Sequence, residues 1–365
     1  MRVLFMSLVV MLALLCAGAV ENQAYLGIFA ETNVNRIAGM PDMSALMPPG
    51  MVIPNMPNMP GMPQRKLTVR LWSPSIAAKN AVATLAIPTG LKLGEKLNLD
   101  LYRPEGQQST GGKGDPGAIP DFTIYRYWGS SATVKDGQPE VIKFAALSAD
   151  EKAAMRTQAQ KASGSYFYKE GWTTGYWPTD KQPGKIDADA ALTGGYALTT
   201  NYTGNVDIDV PETIKFLDPI QFSSPKLTAK VDLTKAMVFK WKAVPGVLGY
   251  HAIISGMKGK NTLITWSSSE VKESSMIDWD YMQMSDVRRL VKDTVMMEPT
   301  RTEVTAPAGI FKDCDSVLLL MIGYGPGVAL DQVQPIPRMQ TKTVVSVMLG
   351  GKMAATMAGP ETDVN

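Results

Sequence analysis

From Lys66 onward the chain alternates. KLTVRLW (66–72) sets Leu67, Val69 and Leu71 against Lys66, Thr68 and Arg70, the period of a strand with one buried face. LNLDLY (97–102) repeats the pattern with Asn98 and Asp100 on the wet side, and FTIYRYW (122–128) and EVIKFAAL (140–147) continue it. Strand-like segments recur near 192–199 and 205–216. Turn-rich stretches such as RPEGQQSTGGKGDPG (103–117) lie between them. One helix interrupts: Ser148 and Glu151 have capping-box spacing, and Ala153, Ala154, Met155 and Ala159 follow. The pattern predicts a mainly β chain, with this section a β-sandwich domain over 65–218.

A second domain is expected over 219–350. In MVFKWKAVPGVLGYHAIISG (237–256), one strand carries Val238, Phe239 and Trp241, a Val-Pro-Gly turn follows, and Tyr250 opens a strand with Ala252 and Ile254. TLITWSSSE (262–270) is the next strand, and 303–306, 316–324 and 342–349 complete the set. MQMSDVRRLV (282–291) reads as an inserted helix. The tryptophan strand, Pro-Gly turn and tyrosine strand resemble the fibronectin type III sandwich. That resemblance implies architecture more than activity, because such modules mostly serve adhesion or spacing. More widely, YWG (127–129), GQP (137–139), WKAVPG (241–246), WSSSE (266–270), GIF (309–311) and YGP (324–326) resemble a family of uncharacterised exported proteobacterial proteins. This implies export and two domains and carries no chemistry.

The N-terminus bears on compartment. Arg2, the apolar run VLFMSLVVMLALLC and Ala17-Gly18-Ala19 form the pattern of a secretory signal over 1–19, cleaved after Ala19. The run is too short for a comfortable span of about 20 residues. VLLLMIGYG (317–325) is glycine-broken and reads as a buried strand, so no transmembrane segment is expected in the mature chain. The protein is expected in the periplasm or at the cell surface. Apolar content of 45% and charged content of 19% fit a globular chain able to fill a core. A net charge of +2 gives no electrostatic case for nucleic acid. Of two cysteines, Cys16 lies in the signal, leaving Cys314 without a partner and reading as a buried thiol.

Candidate chemistry is sparse, and no catalytic residue is assigned. His251 is the one histidine, which removes zinc sites built on two. No G-x-S-x-G elbow holds a serine. Ser223–Lys226 and Ser269–Lys272 match Ser-x-x-Lys, but Pro225 interrupts the first and the second ends a strand. Asp187 with Asp189 and Asp207 with Asp209 offer too few ligands for calcium. One aromatic constellation stands out. YFYKEGWTTGYWP (166–178) places Tyr168, Trp172, Tyr176 and Trp177 in turn-rich surroundings, where such rings can face a sugar or a protein partner. The alternative is a loop packed by its own rings.

Finally, MPDMSALMPPGMVIPNMPNMPGM (40–62) concentrates methionine, proline and glycine. Proline and glycine prevent regular structure, so 20–64 reads as a flexible leader ahead of the first strand. Met40, Met43, Met56, Met59 and Met62 also supply Met-x-x-Met spacing, which suits Cu(I), the one cofactor worth testing. Residues 351–365 read as a flexible tail. The leading expectation is an exported, non-catalytic binding or structural protein of a bacterial envelope, whose partner is an envelope protein or a glycan. A carbohydrate-binding or carbohydrate-processing protein and a periplasmic Cu(I) binder are the alternatives.

Overall fold

The structure, a computed structural model, describes residues 24–41, 60–103, 122–152, 171–184, 186–272, 282–329 and 337–351. The chain is mainly β, as the alternation predicts. Its centre is a pair that the sequence does not mark as one. β1 (Tyr25–Ile37) lies antiparallel to β2 (Gln64–Ser73), from Tyr25 opposite Trp72 to Asn33 opposite Gln64. β1 also lies parallel to the last strand, β17 (Pro337–Gly351). Among the described residues the first strand therefore starts at Tyr25, inside the segment expected to be a leader. Its opening residues hide the period of two, because Leu26 and Ile28 face one way while Tyr25 and Phe29 face the other.

These strands anchor a ten-stranded sheet. On one side β2 pairs with β8 (Thr173–Trp177), and β8 with the edge strand β5 (Asp100–Tyr102). On the other, β17 pairs with β16 (Ser316–Ala329), then β13 (Gly249–Lys258) and β14 (Thr262–Ser267) follow. The far edge is β6 (Thr123–Trp128), parallel to β14, and β7 (Glu140–Lys143). A four-stranded sheet covers one half: β10 (Val206–Val210), β9 (Gly194–Thr200), β3 (Ala83–Ala86) and β4 (Lys96–Asn98). A three-stranded sheet covers the other: β11 (Phe222–Ser224), β12 (Met237–Trp241) and β15 (Glu303–Ala306).

The two cores lie on the same face of the large sheet and share its central strands. Along β1, Leu26, Ile28 and Ala30 enter the first core, and Val34, in the same phase, enters the second. Along β17, Met339 enters the first and Val345, Val347 and Leu349 the second. The expected boundary at 218/219 thus crosses a continuous sheet: β6 and β7 precede it in sequence and pair onto β14, which follows it. LNLDLY also divides, with β4 in the small sheet, β5 in the large one and buried Leu99 between them.

The opposite face of the large sheet is covered at its middle by helix α1 (Met284–Lys292). Val287 of the helix packs with Met282, Val295, Met296, Ile322, Tyr324 and Val344. Gly249 leaves room for it, since a Cβ there would lie 2.6 Å from Val291. The capping box forms as expected: Ser148 donates its N–H and its hydroxyl to Glu151 Oε2, both at 2.8 Å, and the Glu151 N–H donates to Ser148 Oγ at 3.2 Å. Helical residues follow over 149–152, and the rest of the expected helix, with Ala153, Ala154, Met155 and Ala159, lies outside the described residues. Among the described residues, no helix is long and apolar enough to cross a membrane.

Candidate functional site: an aromatic sheet face

Where the core face of β1, β2, β8 and β5 takes mostly aliphatic residues, the opposite face gathers rings. Register builds it in rows. Tyr25, Trp72, Thr174 and Tyr102 lie side by side across four strands. The next row is Gly27, Arg70, Tyr176 and Asp100. Phe29 beside Thr68 continues the face, and Glu31 beside Lys66 follows. Neighbouring strands lie about 4.8 Å apart, so each full row spans roughly 14 Å.

The rings hold one another. Tyr102 and Tyr176 meet edge to face with centroids 5.2 Å apart, a favoured aromatic geometry. The Arg70 guanidinium lies over the Tyr176 ring at 5.7 Å. Tyr25 and Trp172 are 5.4 Å apart. Gly27 keeps the surface low: a Cβ there would sit 2.9 Å from the Phe29 ring and 3.3 Å from Trp72. Trp72 is 1% exposed and forms the base, whereas Tyr102 is 48% exposed. Tyr25, Phe29, Arg70, Trp172 and Tyr176 are half-buried.

Beside the rings sits a largely enclosed ion pair. Lys342 Nζ meets Glu31 Oε2 at 3.1 Å, and Asn33 Nδ2 donates to Glu31 Oε1 at 2.9 Å. Burial pushes the Glu31 carboxyl upward, but Lys342, Asn33 and Lys66 outweigh it and hold the group below its ordinary value.

Of the four expected ligand-facing residues, the structure places Tyr176 and Trp172 here. Trp177 corrects the expectation. It is 1% exposed and belongs to the first core, because strand period sets it opposite Tyr176. Gly184 lies against its ring. Tyr168 lies outside the described residues. The sequence pattern missed Tyr25, Phe29, Trp72 and Tyr102, which are scattered over three strands; the outward phase of each strand was the signal that could have joined them.

The methionine tract is also relocated. Gly61 N–H donates to the Asn35 carbonyl at 2.7 Å, and Met40 N–H to Ile37 at 3.1 Å, so both ends of the tract are tied into the sheet. The tract connects two adjacent central strands and does not precede the first one. Met40 and Met62 are half-buried at its ends, and Met43, Met56 and Met59 lie outside the described residues.

The remaining reactive groups are engaged or enclosed. His251 is 2% exposed; burial pushes its pKa down to about 4, and a hydrogen bond with the Val295 backbone offsets this in part. Burial pushes the Cys314 thiol up to about 11. Ser223 Oγ donates to the Lys240 carbonyl at 3.3 Å and Ser269 Oγ to Val271 at 2.7 Å. Asp189 pairs with Lys92.

The motifs YWG, GQP and WSSSE converge on one clamp. Trp266 Nε1 donates to the Gly129 carbonyl at 2.9 Å. Gln138 accepts from Trp128 N at 3.1 Å and donates to its carbonyl at 2.9 Å. Glu270 binds Lys135 at 2.8 Å and Arg301 at 3.3 Å. The residues hold the β6–β7 hairpin to the second half of the sheet. No protein-family model matches the chain, and no curated protein matches it.

Proposed function

We propose that this chain is an exported, non-catalytic binding or structural protein of the bacterial cell envelope, with the aromatic sheet face as its contact surface. The observation that carries the reading is the rows of rings on β1, β2, β8 and β5. Rings fixed on sheet strands lose little freedom on binding, which favours recognition. The enclosed His251, the raised Cys314 thiol and the serine hydroxyls bonded to backbone carbonyls support a non-catalytic role. The signal pattern at 1–19 supports export. The second half supports the fibronectin type III reading: β12 and β15 share one core with β13, β14, β16 and β17, and Trp241 packs edge-on to Tyr250 at 5.6 Å across the sheets.

Sedimentation with isolated bacterial envelopes tests it. The mature chain is expected to pellet with them, and the Tyr102→Ala, Tyr176→Ala double variant to remain at least tenfold more in the supernatant. Equal pelleting of the two proteins, or no pelleting of the parent chain, contradicts the reading.

A further inference from the structure

We infer that the ligand of the aromatic face is an extended glycan chain, an inference that rests on the binding reading above. Three observations carry it. First, rings and hydrogen-bonding groups share the same rows. Arg70, Tyr176 and Asp100 are neighbours, and Thr68 and Lys66 stand on the same face as Phe29 and Tyr25. A sugar ring offers both a flat C–H face for an aromatic ring and hydroxyls for charged and polar side chains. A protein hot spot seats its tryptophan, tyrosine or arginine anchors in fully desolvated pockets, whereas Tyr102 stands 48% exposed on a sheet face.

Second, the ring clusters are spread. Tyr25 with Trp172 lies at the start of β8, and Tyr176, which meets Tyr102, lies four residues farther along the same chain segment. At about 3.3 Å per residue, Trp172 and Tyr176 are roughly 13 Å apart along the strand, so engaging both requires a ligand longer than one sugar ring. Third, the charges on the face nearly balance: Arg70 and Asp100, both flanking Tyr176, are of opposite sign, Glu31 is matched by Lys342, and Lys66 is in excess. The face therefore suits an uncharged or balanced chain better than a polyanion.

Envelopes treated with protease and purified to their glycan strands are the probe, with soluble chitin oligosaccharide as a second, protein-free one. The parent chain is expected to bind both. Tyr102→Ala is expected to weaken binding at least tenfold, and Tyr102→Phe, which keeps the ring, less than threefold. Because Tyr102 is 48% exposed, its replacement leaves the core in place, which an unchanged melting temperature verifies. Binding to whole envelopes that disappears after protease and survives glycan digestion overturns the glycan inference and leaves the binding reading standing. Failure to bind whole envelopes at all removes both.

Discussion

At the residue scale, Tyr176 and Trp177 show how one step along a strand decides between core and surface. Trp177 is enclosed under the four-stranded sheet, and Tyr176 meets Arg70 and Tyr102 on the other face. His251 illustrates the same economy. It stands on β13, with Ile322 of β16 as its neighbour across the pair, and it hydrogen-bonds with the Val295 backbone. Its pKa is about 4 in the folded protein against an ordinary value near 6.5. A folded pKa below the unfolded one means that the contribution is fully present above about pH 6.5 and is lost as pH falls toward 4. The loss reaches about 3 kcal/mol. Denaturant unfolding at pH 7.5 and 4.5 checks this. His251→Gln is expected to lower stability at pH 7.5 and to flatten the fall on acidification; an equal fall in both proteins contradicts the assignment.

At the element scale, legibility followed one-sided burial. β15 covers 303–306 as expected, and β10, β12 and β14 sit where alternation put them. The strands and turn of 237–256 were readable because Phe239 and Trp241 point inward two residues apart and Gly246, at φ +86, makes the turn. β1 was illegible for the opposite reason. Its neighbours on both sides and its rings and aliphatics on both faces erase the alternation. LNLDLY was read correctly residue by residue, yet no local pattern announces that Leu99 is where the chain changes sheets. The clamp around Glu270 was visible only as separate motifs, since Gly129, Glu270 and Arg301 meet through the parallel pairing of β6 with β14. Glu270→Gln keeps the shape and removes the charge that holds Lys135 and Arg301. It is expected to cost about 1 kcal/mol, because the group is partly exposed. Amide hydrogen exchange should then quicken in β6 and β7 while β1 and β2 keep their protection. A uniform change along the chain contradicts a local clamp.

At the scale of the whole molecule, the ten-stranded sheet has one face fully used for folding and another that divides into three. Two small sheets fill the first. On the second, α1 covers the middle. Rings occupy the end formed by β1, β2, β8 and β5, and Leu318 of the central strand β16, which is 40% exposed, stands apart from them. Half of the candidate site was legible as an aromatic-rich segment. The rest required the pairing of β1 with β2, a contact between segments that the methionine tract separates. The central claim is that the aromatic end is the surface that binds. Hydroxyl-radical footprinting, read residue by residue by mass spectrometry with and without isolated envelopes, measures it on the side chains themselves. The account predicts that Tyr102 and Tyr176 become protected while Leu318 stays equally reactive; protection of Leu318 with Tyr102 and Tyr176 unchanged would contradict it.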